Sequence, residues 1–429
     1  MVDIFTGTLL MRYDLQYGVG SLHIEVNDRI RTELVQPPAI VDLPSNDIIM
    51  KSLEHPEDSQ PLSKLSTNTK SVTIVMTSHG DNEIAATLLE TILSSLSSQV
   101  PDIGEISLIY PSTFDSLDHA SKTLEKIQKA KDEGCTLIPH DPSSSELLQF
   151  VGVTPSNSTP VYVNEAFAQS DLRIGVDTIR PSVLTGATGG RMAVIPGCAG
   201  SKSIERNSKL QAVSPLRPYT INSETCLDLE EASRLAGLDF ILDAVSDCDS
   251  HIAHIATGDP YTSWKNSIKT MHDVSEAPIQ YKADITIIST GESRYDRTFY
   301  DALDVLHPAC QATEQGGVII LIAECPDGVG PPGFLKGVSE CANESDVVLL
   351  SQTGYEYGME KARLLWRTLS SRKVILCSGL RESLVSERLH CFAIRDPQEG
   401  LALARDLIVS KPRIAIIPQG MKTIPVQNS

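Results

Sequence analysis

The densest chemistry-bearing stretch of the sequence is Thr185–Gly197, TGATGGRMAVIPG, in which Gly186, Gly189 and Gly190 precede Arg191. Glycines packed this closely let backbone N–H groups approach an anion, and a guanidinium beside them adds charge. Gly186, Gly189, Gly190 and Arg191 are therefore candidates for a phosphate or carboxylate cradle. The spacing matches neither GxGxxG nor GxxxxGK[ST], and the same glycines equally shape a tight connection. His79, in TSHGDNE (Thr77–Glu83), and His140 with Asp141, in LIPHD (Leu137–Asp141), each follow a short apolar run. Open parallel sheets present their ligands at that position. An imidazole near a carboxylate can act as an oriented base or a metal ligand, while a polar strand end or helix cap is the plainer reading. His251 and His254, in HIAH, have the i,i+3 spacing of one helical face, yet no third ligand is evident. Glu324 and Asp327, in ECPDGVG (Glu324–Gly330), can bind hydroxyls or a cation beyond a strand, or form an Asx turn. No GxSxG elbow is present. The cysteines include no C-x2-C pair, so zinc knuckles and iron–sulfur clusters lack support and reduced, small-hydrophobe roles are expected.

The elements that must hold these residues are written as alternating apolar runs and helical stretches. SLHIEVN (Ser21–Asn27) alternates as an antiparallel strand does. VTIVM (Val72–Met76), a helix through Ile84–Leu96 and ISLIY (Ile106–Tyr110) follow the order of a parallel sheet with crossover helices. TPVYV (Thr159–Val163) and LRIGV (Leu172–Val176) are further strand candidates, and Cys226–Asp249 reads as one or two acidic helices. A second series begins near Ala283: DITIIS (Asp284–Ser289), VIILIA (Val318–Ala323), DVVLL (Asp346–Leu350), VILC (Val374–Cys377) and IAII (Ile414–Ile417). Two α/β domains with mostly parallel sheets follow, divided near Pro278.

At 429 residues the chain is long enough for two or three cores. Its net charge of -19, with no concentrated basic patch, excludes nucleic acid as a partner. The longest apolar runs fall well short of the roughly 20 residues of a membrane span. The start, MVDIFTGTLL, does not read as an export signal, so a cytoplasmic location is expected.

Ile179–Ser208, IRPSVLTGATGGRMAVIPGCAGSKSIERNS, resembles the nickel-pincer lactate racemase family, whose segment has the form E-P-H-x-x-x-G-x-x-G-G-R-K-x-x-x-P-G followed by N-H-S. Tyr17–Gly18, Leu53–Leu62, His140–Asp141, Gly152–Glu165 and Ala323–Gly330 support the resemblance in family order. It implies two Rossmann-like domains, here residues 1–275 and 276–429, with a ligand cleft between them. It also implies a nickel ion held by a pyridinium-dithio mononucleotide linked to a lysine. In the family this group takes and returns a hydride as 2-hydroxy acids are racemised, with two histidines as bases and a third on nickel.

The residues standing at those positions differ. The anchoring lysine falls on Met192, the base histidine of E-P-H on Ser182, the histidine of N-H-S on Ser208 and the second base on Phe114. The family's D-x-T-R-P matches Ser78–Asn82, putting Asp81 in place of arginine; its Y-Q-x-x-K meets YDALD (Tyr300–Asp304), giving Asp301 and Asp304. A thioether cannot make the covalent link, and three carboxylates repel a 2-hydroxy carboxylate. The expectation is a family-fold protein without the nickel-pincer nucleotide, acting as a ligand-binding protein or as the partner of an active paralogue or of its own copies. One alternative is an enzyme in which His79, Asp81, Asp301 and Asp304 take magnesium or manganese, or a cationic or polyhydroxylated substrate. Another is a 2-hydroxy-acid racemase or epimerase with a rearranged site, anchored through Lys202 or Lys209.

Overall fold

A computed structural model describes residues 2–3, 8–40, 45–65, 69–77, 82–99, 104–112, 122–132, 134–408 and 411–427. The strands used below are β1 (Thr8–Tyr17), β2 (Gly20–Asn27), β3 (Thr32–Leu34), β4 (Ser71–Met76), β5 (Glu105–Pro111) and β6 (Thr136–His140). They continue with β7 (Leu148–Val153), β8 (Pro160–Asn164), β9 (Leu172–Ile179), β10 (Phe240–Ser246) and β11 (Ile252–Gly258). Last come β12 (Ala283–Ser289), β13 (Thr313–Ile322), β14 (Lys373–Cys377), β15 (Phe392–Ile394) and β16 (Ile414–Ile417).

These strands build two α/β units. One, Ala39–Leu210 with Leu216–Val274, contains the six-stranded sheet β11-β10-β9-β4-β5-β6, parallel except for β11. The other, Ser275–Ser429 with Met1–Pro38 and Gln211–Pro215, contains the all-parallel sheet β15-β14-β13-β12-β16-β3. This grouping differs from a linear division after residue 275, and hydrogen bonding explains why. β3 adds to β16, the β1/β2 hairpin buries Leu15, Ile24 and Val26 with Ile285, Ile287 and Ile320, and Arg363 donates to the carbonyls of Gln211, Ala212 and Ser214. The central strands are apolar on both faces, as parallel strands covered by helices must be. Ile285, Ile287, Ile319, Ile320 and Leu321 are all fully buried, each worth roughly 1.5–3 kcal/mol of transfer free energy.

Most expected runs are strands within a residue or two of their expected bounds. Cys226–Asp249 is instead one helix, Glu224–Ala236, followed by β10: Gly237 at φ 72 closes the helix, and FILDAVS continues as a buried strand. Asp346–Leu350 lies in a helix, Glu344–Gly354, started by Asn343, whose side chain accepts from the Asp346 N–H. A short apolar run does not distinguish strand from helix; the cap decides. Thr159–Val163 pairs with β7 in a separate hairpin outside the main sheet. Ile252, Ala253 and His254 of the HIAH segment open β11, with His251 just before it, and form no helix. Among the described residues no helix is long and apolar enough to cross a membrane.

Candidate functional site

In the first sheet the chain runs from β4 through β5 to β6, then returns to β9 on the other side of β4, so the strand order reverses between β4 and β9. Open α/β sheets bind ligands beyond such a reversal. His79 and Asp81 directly follow β4 but lie outside the described residues, as does Phe114. What is described there is an acid pair that no motif announced. Asp177 on β9 and Asp243 on β10 are direct cross-strand neighbours, and Asp177 also accepts from the Thr77 hydroxyl. Asp243 accepts from the N–H of Asp177 at 2.9 Å and from the N–H of Gly190 at 2.5 Å. Asp243 is wholly buried, and that burial, reinforced by the neighbouring Asp177 carboxylate, pushes its carboxyl up to about 8.

The glycine loop is thus turned inward. Gly190 gives its N–H to Asp243, and its φ of 55 with Trp264 pressed against its α-carbon leaves no room for a side chain. Gly189 is likewise in the left-handed region beside Asp243, while Gly186 backs onto Thr220. Arg191 is only 3% exposed, lies 3.7 Å above the Trp264 ring and donates to the Thr185 carbonyl at 3.1 Å. These contacts pack the loop and stack Arg191 on an indole, while its Nε and Nη1 are buried without a hydrogen-bond partner. Thr185 also joins two positions singled out by the resemblance: its hydroxyl donates to Ser182 Oγ at 2.7 Å and reaches Met192 Sδ at 4.0 Å. Ser208 is buried on the helix Ser201–Val213, and Lys202 is exposed on it. Hydroxyls of Thr185 and Ser182 and the thioether of Met192 thus meet around Thr185.

The second sheet reverses between β12 and β16, and the segment leaving β12 carries the other candidates. It is tied to the turn after β13, because the N–H groups of Phe299 and Tyr300 donate to the Gly328 and Val329 carbonyls at 3.1 and 3.0 Å. Thr298 caps the short helix Phe299–Ala302, accepting from the Asp301 N–H and donating from its hydroxyl to the Asp301 carboxylate at 2.6 Å. Asp301 is therefore partly accounted for by local capping. Asp304 accepts from Lys361 Nζ at 3.1 Å, and that ammonium also lies 4.4 Å from the Tyr300 ring centroid. Burial opposes the charge on Lys361, but Asp304 and Asp301 together hold its ammonium above the ordinary lysine value. Burial raises the Asp301 carboxyl against the pull of Lys361. Next to Lys361, Glu360 accepts from the hydroxyls of Tyr300 at 2.5 Å and Tyr355 at 2.6 Å, and from the Gly358 N–H. This cluster corrects the picture of bare carboxylates: a lysine 57 positions along the chain from Asp304 supplies the cation.

Other sequence candidates resolve into structure. His140 is buried, with Nε2 2.9 Å from the Ala199 carbonyl, and burial lowers its pKa; Asp141 makes an Asx turn onto Ser143. Asp327 pairs with Arg297 at 2.6 Å, while Glu324 packs against Gly18. His254 stands on β11, where burial lowers its pKa. Among the described residues, Asp247, Asp249 and His251 bring ligand atoms within 4.8 Å of one another. Asp247 is already engaged there by the N–H groups of Asp249 and His251 and by His251 Nδ1, which explains the cluster as a turn.

Two family models cover the chain: the lactate racemase N-terminal domain matches residues 17–216, and the lactate racemase C-terminal domain matches residues 279–425. The chain belongs to the lactate racemase family. It is 26% identical to the lactate racemase of Thermoanaerobacterium thermosaccharolyticum over 96% of this chain and 98% of that protein. It is 23% identical to the lactate racemase of Lactiplantibacillus plantarum, over 97% and 100%. The lactate racemase apoprotein structure from T. thermosaccharolyticum superposes with a TM-score of 0.82 at 23% identity, covering 97% of this chain and 100% of that one. A Thermotoga maritima protein follows at 0.65 and 14% identity, covering 91% and 100%. Both structures share this fold, and the two family domains correspond in sequence order to the two α/β sheets.

Proposed function

We propose that this chain is a lactate racemase-family enzyme with changed chemistry, acting on a hydroxylated small molecule at the carboxyl edge of its second sheet without an anchored nickel-pincer nucleotide. The observation that carries this reading is the Asp304–Lys361 pair. At the position where the resemblance expects a free lysine for a substrate carboxylate stands a carboxylate, and the nearby ammonium is already committed to it. A substrate carboxylate entering there has to displace Asp304 from Lys361 and face Asp301, which opposes binding by like-charge repulsion. Ser182 and Met192, engaged with Thr185, supply neither a base of histidine type nor a linking amine.

The test is expression in a host that makes the pincer nucleotide, followed by assay of D- and L-lactate interconversion and of substrate C2–H exchange. The reading predicts neither reaction, and Met192→Lys alone does not restore them, because Ser182 and Ser208 remain. Racemisation by the unaltered chain would overturn it. A ligand-binding role without catalysis is the second reading, favoured by the extensive internal engagement of Asp301 and Asp304, and is separated by turnover of a ligand once bound.

A further inference from the structure

Independently of any reaction, we infer that the outer face of the β7/β8 hairpin is an interface at which two copies of this chain pair about a two-fold axis. Along β8, Pro160, Tyr162 and Asn164 alternate with Val161 and Val163, so the two sets lie on opposite faces. Val161 and Val163 are fully buried in the core of their unit. The cross-strand partners of the other set are Val153, Phe150 and Leu148, which therefore share the outer face with Pro160 and Tyr162. A register shift between Phe150 and Gly152 brings Phe150 and Val153, three positions apart, to one side of the strand. Phe150 is 51% exposed and Val153 47%, while Leu147, next to Leu148 in the chain, is 52% exposed. Strands that are apolar on both faces are normally covered on both. Here the inner face is covered, and Phe150 and Val153 face solvent on the outer one.

Charge singles out a second copy as the occupant. Lys202, exposed near the start of the helix Ser201–Val213, holds its ammonium 5.8 Å from the Tyr162 ring centroid, which lies 5.2 Å from that of Phe150. Glu146, Glu165 and Glu205, all exposed, border the same face: Glu146 and Glu165 flank the Leu148–Asn164 pair, and Glu205 lies one helical turn beyond Lys202. A two-fold pair brings one copy's lysine to the other's acids, so a single patch supplies both halves of each ion pair. At a net charge of -19 the chain repels its own copy, and also an anionic membrane, over most of its surface. An apolar face with a lysine beside it is where that repulsion is weakest. A stable interface takes roughly 800 Å² from each partner, so the apolar face forms its centre, with Phe150 and Tyr162 as aromatic anchors, and the charged residues form its rim. Weak pairing follows, with a Kd on the order of 10 μM.

Sedimentation equilibrium of the full chain between about 1 and 200 μM tests the assignment. The unaltered chain passes from monomer to dimer across that range. Phe150→Ser combined with Val153→Ser raises the Kd by at least about tenfold. Lys202→Glu raises it too, and by more at low salt than at high salt. Leu349→Ser, at a 61% exposed position on the helix Glu344–Gly354 of the other unit, leaves it unchanged. Amide exchange across Leu148–Val153 slows as the protein concentration rises. A chain that stays monomeric over the whole range overturns the inference. So does a dimer whose Kd is unchanged in the folded Phe150/Val153 double variant or in Lys202→Glu at low salt, or one that Leu349→Ser weakens equally.

Discussion

Asp243 offers a quantitative prediction that needs no ligand. Its carboxyl is wholly buried between the N–H groups of Asp177 and Gly190 and is pushed up from 3.8 to about 8. The folded protein therefore holds a proton that the unfolded chain releases. That preference is fully expressed below pH 3.8 and is lost as the pH rises towards 8, at about 1.4 kcal/mol per pH unit within the window. Between pH 5 and 7 the loss attributable to Asp243 is roughly 2–3 kcal/mol. Asp243→Asn cannot titrate, so the stability of the wild type minus that of the variant falls by about this amount across the interval, while contributions from groups not coupled to Asp243 cancel. Trp264 packs against Gly190, whose N–H donates to this acid, and against Arg191. In a Trp366→Phe background it is the sole indole, and its fluorescence during urea unfolding reports this unit alone. A difference between the two proteins that does not change from pH 5 to 7 refutes the proton-holding assignment.

Three further outcomes follow from the same contacts. Lys361→Met leaves Asp304 without its cation and Asp301 with a like-charged neighbour, and destabilises the protein by about 2 kcal/mol, less than a fully buried pair because Asp304 is partly exposed. Adding Asp304→Leu to that variant recovers most of the loss, and chemical denaturation of the single and double variants measures both. Gly190→Ala forces a side chain to within 2.8 Å of the Trp264 ring in a left-handed conformation; a loss of about 2–4 kcal/mol with altered Trp264 emission is expected. Tyr300→Phe removes one of two tyrosine donors to the buried Glu360 carboxylate and costs about 1.5–3 kcal/mol in thermal or urea denaturation.

The sheets were readable because parallel strands buried on both faces write uninterrupted apolar runs, as in DITIIS and VIILIA. A run's length alone decides nothing where a cap intervenes: DVVLL is helical behind the Asn343 cap, and FILDAVS is a strand after the Gly237 stop. Family membership was visible in the glycine-rich segment, since spacing within one loop survives divergence elsewhere. The sites were far less legible. Asp177 and Asp243 sit inside apolar strands, and an acid at mid-strand was the available signal for both. Lys361 carried no motif at all, because its pairing with Asp304 spans 57 positions and exists only after the crossover helices fold back. The stacking of Arg191 on Trp264, a residue remote in the chain, has no signal in the glycine-rich segment itself.

On this reading the protein carries no covalently anchored nickel-pincer group. Intact mass spectrometry, with nickel quantified on the same sample, tests it most directly on protein purified from a host that makes the cofactor. The expected result is the mass of the unmodified chain and nickel far below one ion per molecule. A covalent adduct with stoichiometric nickel would contradict it.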